Sequence, residues 1–290
     1  MLDPGILFAG VLNGLMAGGI YVLVAVGLTL IYGVLHITNF AHGSLLMLAM
    51  YAVFFLWRLS GLDPYAALPV VIGAAFAFGY LLYRLVIGRL SHGRDENILL
   101  ITLGVSIVID NVALLLFGGN TQTVETPYAS SFVQLGDAFL PLPKIVSFAA
   151  SLLICALLGL FLARSDTGKA IRAVARERQG ARLVGIDVDN IFALSYGIGI
   201  ACLGAAACLL MPTYYVTPSS GHAFVLVAFT IVVLGGMGSF AGAAVGGLII
   251  GVVESLGGLV LGEQLGQIGI SAIFILILLL KPSGLFGVRQ

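Results

Sequence analysis

The chain has 290 residues, of which 60% are hydrophobic and only 9% are charged, and its mean hydropathy is +1.13. Because a soluble domain carries about 25% charged residues, this composition excludes a water-soluble protein. The net charge is zero, so nucleic acid is not an expected partner. Three cysteines, Cys155, Cys202 and Cys208, lie in apolar runs without metal-ligand spacing, and no metal site is predicted.

Apolar runs separated by polar breaks predict the membrane-spanning segments. In chain order they are 8–33, 39–57, 65–87, 97–117, 144–163, 190–210, a short run at 223–234, 243–261 and 268–280. These runs amount to eight full crossings and one short piece. We therefore expect an all-α integral membrane protein, a polytopic bundle of about 8–9 helices, forming a single transmembrane domain over residues 1–290.

The positions of lysine and arginine predict the orientation. If the 164–189 segment is cytoplasmic, the C-terminus lies on the same side, and only Arg58 and Lys144 of the 13 basic residues fall outside. The N-terminus is then outside the bacterial inner membrane. Two outer stretches, 118–143 on the periplasmic side and 211–222, are either connecting loops or a docking face for an external protein.

A glycine-rich break at 235–242 interrupts the hydrophobic sequence. The preceding apolar run, 223–234, is far shorter than the roughly 20 residues that a spanning helix needs. Non-helical backbone at membrane depth is tolerated only inside protein or beside a watery cavity, and transporters place binding sites at such breaks. The break therefore predicts a substrate pathway that includes Gly235, Gly236 and Ser239.

A second interruption at 33–43 contains the polar residues Asn39 and His42. In both breaks a polar residue precedes Phe-Ala, which suggests an internal repeat. Asn39 and His42 form either an interfacial polar turn or a re-entrant element opposite the 235–242 break. We include both residues in the candidate pathway.

Two carboxylates, Asp110 and Glu254, lie within predicted spans. A charge at mid-bilayer costs about 2.5–3.5 kcal/mol, so such residues face a cavity or a partner. Three roles stay open for them: tying helices together, lining a polar pathway, or relaying protons.

No phosphate-binding loop, zinc-protease motif or nucleophile elbow occurs in the sequence. The only nucleophile and base that could be assembled are Ser239 with His36 or His42, and only if the two breaks meet. We expect no catalytic residues, no cofactor and no nucleotide site in this chain.

The 164–189 segment holds six of the 13 basic residues. Asp166 or Thr167 can begin a helix that Gly180 ends, and a second short piece stops at Gly185. Ala170, Ala173 and Val174 share one helical face. Composition favours a helix on the anionic inner leaflet, although this small apolar face suits a protein groove better than lipid.

Several motifs together resemble the permeases of branched-chain amino acid ABC importers, of the shorter, LivH-like type. They are GLTLIYG at 27–33, NFAHG at 39–43, TGKAIRAVA at 167–175, ARLVGI at 181–186, LGGMGS at 234–239 and Glu254-Ser255. The resemblance implies a second homologous permease subunit, two cytoplasmic ATPase subunits that bind the ATP, and a periplasmic substrate-binding protein.

The resemblance also implies that 164–189 is the ATPase coupling segment rather than a helix on the membrane surface. The residues it assigns to coupling are Arg164, Thr167, Gly168, Lys169, Arg172, Ala173, Arg176 and Gly185. One departure is Asp110, where the family pattern has an uncharged amide. The alternative function is a secondary transporter that uses Asp110 and Glu254 with an ion gradient.

Overall fold

A computed structural model describes residues 4–90, 95–135, 138–262, 266–281 and 284–286. The helices are α1 (Pro4–Leu35), α2 (His42–Ser60), α3 (Leu68–Leu82), a π-helical turn (Tyr83–Ile87), α4 (Gly88–Leu90), α5 (Asp95–Phe117), α6 (Leu142–Arg164), α7 (Asp166–Arg176), α8 (Arg178–Leu183), α9 (Val188–Leu210), α10 (Ser220–Gly235), α11 (Phe240–Leu261) and α12 (Gly266–Leu280). Each of the predicted apolar runs overlaps one of these helices. The predicted all-helical membrane fold is confirmed.

Seven helices among the described residues are long and apolar enough to cross a membrane, with α3 and α4 counted as one continuous helix. The other two apolar helices are shorter: α10 has 16 residues and α12 has 15. At 1.5 Å per residue α10 is about 24 Å long, less than the roughly 30 Å of a hydrocarbon core. The number of full crossings therefore stays a prediction.

The centre of the bundle is formed by α1 and α9, each 83% buried over its apolar window. Helix α11 runs along α1, and α3 runs along α9. Small residues allow the close approach: a Cβ added to Gly27 would lie 2.6 Å from the carbonyl oxygen of Gly199. The outer helices α3, α5 and α6 are only 22% buried, and they expose long aliphatic side chains such as Leu115.

The 118–143 and 211–222 stretches pair with each other and form one surface. Strands β1 (Phe132–Leu135) and β2 (Ala138–Pro141) form an antiparallel hairpin in which Phe132 pairs with Pro141. Gln122 and Val216 exchange two backbone hydrogen bonds of 3.0 and 2.9 Å. This bridge fixes the 118–143 loop to the segment that precedes α10.

Helix α2 begins beside the middle of α1. The Nε2 atom of His42, the first residue of α2, donates to the carbonyl oxygen of Val24 at 3.0 Å. Val24 lies about 30 Å along α1 from Pro4, because each residue rises 1.5 Å. The non-helical segment 36–41 therefore turns back from the end of α1 into the bundle before α2 starts.

Helix α10 also begins beside the middle of α1. In its first turn the ring of Phe224 contacts Tyr21, with the ring centroids 6.3 Å apart. Its last residue, Gly235, lies against Gly242 at the start of α11. Helix α10 therefore starts near mid-depth and runs toward the end where α1 finishes, as a half-helix does.

The contact between Gly235 and Gly242 gives a test of this packing. A Cβ on Gly242 would overlap the backbone of Gly235, so Gly242→Leu should lower the free energy of unfolding by about 1–3 kcal/mol. Gly73→Leu is the matched control, because nothing lies within 4 Å of a Cβ at Gly73. Thermal unfolding of the detergent-solubilised protein measures both changes, and equal stability of the two variants would contradict the packing.

Candidate functional site

The first turns of α2 and α10 touch in the middle of the bundle. A Cβ added to Gly43 or to Gly221 would overlap the backbone of the other glycine. Both helix N-termini, with their positive dipole ends, therefore converge at mid-depth. One of the two interpretations of the 33–43 segment placed it opposite the 235–242 break, and Gly33 does lie against Gly238 there.

The polar residues at the start of α2 are buried. Asn39 is 2% exposed, and its Oδ1 atom accepts the backbone N–H of Ala41 at 3.1 Å. Within the described part of the chain, Asn39 Nδ2, His42 Nδ1 and the Tyr196 hydroxyl have no hydrogen-bond partner. Buried polar groups of this kind are uncommon in native proteins. They make this junction a polar point inside the bundle, and the interpretation as an interfacial turn is wrong for His42, which is buried against Val24.

Asp110 contacts a residue that the sequence did not single out. Its Oδ2 atom lies 3.5 Å from Nε2 of His222, in the first turn of α10. The Asp110 side chain is 18% exposed and that of His222 is 66% exposed. A carboxylate beside a helix N-terminus is favourable. Of the three roles left open, the geometry favours a tie between α5 and α10.

Glu254 lies elsewhere, in a cavity of about 940 Å³. The cavity lies between the N-terminal half of α1, the C-terminal half of α11 and the segment that follows α9. Its described lining includes Glu254, Tyr21, Tyr214, Phe224 and Lys144 but not Asp110. The Tyr21 hydroxyl lies close enough to the Glu254 carboxylate to interact with it. The structure therefore does not bring the two predicted carboxylates into one site.

The 235–242 break is closed in this conformation. Gly236 and Gly238 have φ angles of 95° and 84°, a backbone region that favours glycine. Ser239 begins α11, since its Oγ atom accepts the N–H of Gly242 at 3.1 Å. Gly235 also packs on Gly242, so the two helix ends at the break lie against each other here.

The C-terminal segment supplies the remaining backbone partners of the break. The N–H groups of Leu285 and Phe286 donate to the carbonyl oxygens of Leu234 and Gly235, at 2.7 and 3.1 Å. These are orphan carbonyls at the end of α10. In this conformation the chain itself binds these two carbonyl groups. A role of Gly235, Gly236 and Ser239 in the pathway stays a prediction.

The predicted ends of the helix in the 164–189 segment need correction. Ser165, not Asp166 or Thr167, caps α7: its Oγ atom accepts the N–H of Gly168 at 2.9 Å. The helix ends at Arg176, and Gly180 lies inside α8 rather than after α7. The side chain of Glu177 caps α8 by accepting the N–H of Gln179 at 3.1 Å. Helix ends depend on which side chain reaches the free N–H groups, which spacing alone does not determine.

Most of the apolar face of α7 packs against the bundle. Ile171 and Val174 are 2% and 0% exposed, and a Cβ on Gly168 would overlap the backbone of Leu162. The face formed by Ala170, Ala173 and Val174 was predicted to contact a partner protein. In the structure Ala173 is exposed, but Val174 is buried. The basic coupling candidates Arg164, Lys169, Arg172 and Arg176 are exposed, and the Lys169 ammonium, 2.8 Å from Asp166, lowers the pKa of that carboxyl.

The exposed apolar surface of this segment lies at the end of α8. Leu183 and Val184 are 88% and 76% exposed. The chain then turns at Gly185, whose φ angle is 86°. These two aliphatic side chains are available for an apolar contact outside this chain.

Arg178 joins this segment to the end of α1, and the sequence reasoning did not identify it. Its guanidinium donates to the carbonyl oxygen of Leu35, lies 3.4 Å from Nδ1 of His36, and stacks over Phe192 at 5.2 Å. A cation at a helix C-terminus stabilises the helix dipole. The basic segment therefore contacts the point where α1 ends and the chain turns back toward His42.

Comparison with known proteins assigns the family. Residues 10–280 match the family model described as the permease component of branched-chain amino acid transport systems. The chain belongs to this permease family.

The sequences of curated relatives match the permease over almost its whole length. It is 34% identical to the high-affinity branched-chain amino acid transport system permease protein BraD of Pseudomonas aeruginosa, over 95% of this chain and 94% of that protein. It is 31% identical to the corresponding protein LivH of Escherichia coli, with the same coverage. A solved structure, PsaBC from Streptococcus pneumoniae in complex with Fab, shares the fold with a TM-score of 0.50 and 17% identity, over 95% of the permease and 93% of the solved chain.

The contact between Asp110 and His222 can be tested in the permease by a double-mutant cycle. Asp110→Ala and His222→Ala should each destabilise it, and the double variant should be no worse than the worse single variant. The expected interaction energy is about 0.5 kcal/mol or more. Thermal unfolding in detergent measures the cycle, and strictly additive effects would show that the two side chains do not interact.

Proposed function

We propose that the chain is the membrane permease subunit of an ATP-driven importer for branched-chain or related hydrophobic amino acids. The family match over residues 10–280 carries this proposal. The substrate class comes from relatives that match along nearly their full length. Since the sequence contains no phosphate-binding loop, the energy would come from separate ATPase subunits.

The proposed assembly has four kinds of component. This chain pairs with a second, homologous permease, two ATPase subunits bind on the cytoplasmic side, and a periplasmic protein delivers the amino acid. The outer surface formed by the 118–143 loop and the segment before α10 is the proposed site for that delivery. The support is geometric: the Gln122–Val216 bridge joins both stretches into one face.

The α7–α8 segment is the proposed contact for an ATPase subunit. Its support is the exposed pair Leu183 and Val184, with basic side chains around it. Arg178 of this segment donates a hydrogen bond to the carbonyl oxygen of Leu35, which places the segment at the C-terminal end of α1. If this end is cytoplasmic, as the positive-inside rule indicates, the N-terminus of α1 is periplasmic and the C-terminal segment is cytoplasmic.

The contacts of Arg178 connect the proposed ATPase-binding segment to the substrate pathway. Movement of α8 would displace the end of α1 and segment 36–41, and with them the start of α2 at His42. The same end of the bundle contains the closed 235–242 break, against which Gly33 lies. Motion of two packed elements about such a junction is a common form of alternating access.

Uptake into proteoliposomes tests this function. Vesicles that contain the intact assembly, with its ATPase subunits facing the lumen, should accumulate radiolabelled leucine only when ATP is enclosed in the lumen. This accumulation should persist after the proton and sodium gradients are collapsed. Accumulation by this chain alone, driven by a gradient and stopped by Asp110→Asn with Glu254→Gln, would contradict the proposal in favour of a secondary transporter.

The same assay tests the ATPase contact. Leu183→Asp should lower ATP-driven uptake about tenfold or more, because it puts a charge into an apolar contact, while leaving membrane insertion unchanged. Leu183→Met retains the apolar surface and is the matched control. Normal uptake by Leu183→Asp would remove this contact from the coupling role.

A further inference from the structure

The cavity that contains Glu254 extends from the outer end of α1 to mid-depth. Its lining on α1 begins at Gly5 and ends at Tyr21, a distance of about 24 Å along the helix axis. Phe224, in the first turn of the half-helix α10, lies at the inner end. The cavity therefore leads from the outer surface to the level where α2 and α10 begin.

Glu254 brings a carboxylate into this cavity. Among the described residues, no basic side chain forms an ion pair with it. Its neighbours are phenols: the side chains of Tyr21 and Tyr214 both lie close enough to the carboxylate to interact with it. A carboxylate at membrane depth faces either a partner or a bound cation, and no cationic partner comes from the described chain.

The walls around this carboxylate are aromatic. Phe224 contacts both Tyr21 and Tyr214, with ring centroids 6.3 and 5.4 Å apart, and Tyr214 stacks on Tyr215 at 4.9 Å. Aromatic faces attract ammonium groups, and they also bind aliphatic surface. Carboxylate and rings together suit a molecule that carries a positive charge on an apolar body.

From this arrangement we infer that the cavity binds a primary ammonium group carried on an apolar body, with Glu254 as its counter-ion. The 940 Å³ volume is ample for a branched aliphatic chain. Lys144 lines the same cavity and provides the opposite charge for a carboxylate. An amino acid with an aliphatic side chain has all three features, and this source of the ammonium rests on the proposed function. The ethanolamine headgroup of a phospholipid is the other source of the same chemistry.

Protection of a cysteine from labelling tests the inference on the full-length permease. Leu259 lines the cavity and is 41% exposed, so Leu259→Cys should react with a membrane-impermeant maleimide added from outside. The native cysteines, Cys155, Cys202 and Cys208, are buried and should react slowly. The probes are leucine, 3-methylbutylamine, which lacks the carboxylate, and 4-methylpentanoate, which lacks the ammonium, each in vesicles of phosphatidylcholine alone.

Leucine and 3-methylbutylamine should slow the labelling, and 4-methylpentanoate should not. Glu254→Gln should weaken this protection about tenfold in ligand concentration, as expected for loss of one charge-assisted hydrogen bond. Glu125→Gln, an exposed carboxylate in the 118–143 loop, is the control and should leave protection unchanged. Equal protection in Glu254→Gln and the parent, or protection by 4-methylpentanoate, would overturn the inference.

A lipid arm separates the two sources of the ammonium. Slower labelling in vesicles with phosphatidylethanolamine than in phosphatidylcholine alone, abolished by Glu254→Gln, would identify a lipid headgroup and retain the ammonium site. No protection by any amine or by phosphatidylethanolamine would overturn it. The proposed function fails separately, if the intact assembly shows no ATP-driven uptake of leucine with Glu254 in place.

Discussion

A backbone N–H or carbonyl group that leaves a helix inside a membrane must find a partner in protein or water, and this constraint determines the arrangement of the bundle. The backbone is non-helical in segment 36–41, which follows α1, and within the 235–242 break, which precedes α11. At the break, Ser239 caps α11 and residues 285–286 bind the last carbonyls of α10. Two half-helices can therefore begin or end within the bundle without exposing their backbone to lipid.

Helix α1 connects the functional parts because it contacts each of them at a different depth. Arg178 of the basic segment binds its C-terminal carbonyl. Its middle receives His42 of α2 and Phe224 of α10. Its N-terminal half forms one wall of the cavity around Glu254. A displacement at the C-terminal end of α1 would therefore reach the starts of α2 and α10 through one continuous, closely packed helix.

The sequence predicted the helices well and the contacts between them less well. Apolar length is a local property, so all nine runs could be located, and glycine clustering identified the 235–242 break. The contacts of His222 with Asp110 and of Arg178 with Leu35 join positions far apart in the chain, where a single sequence carries no pairing signal. The aromatic residues around Glu254 have ordinary apolar spacing, and only the packing of α1, α10 and α11 brings them together. Ser165 was missed as a cap because Asp166 and Thr167 are equally good capping residues.

The depth at which α10 begins tests the account most directly. Nitroxide labels at Ile6 and Leu226, both exposed side chains on α1 and α10, allow their separation to be measured by double electron–electron resonance in a bilayer. A half-helix that starts at the level of Tyr21 places the two positions about 25 Å apart, from the rise per residue along α1. A helix that crosses the whole membrane from the outer surface would bring them to about 15 Å or less. The account predicts the longer distance, and the shorter one would contradict it.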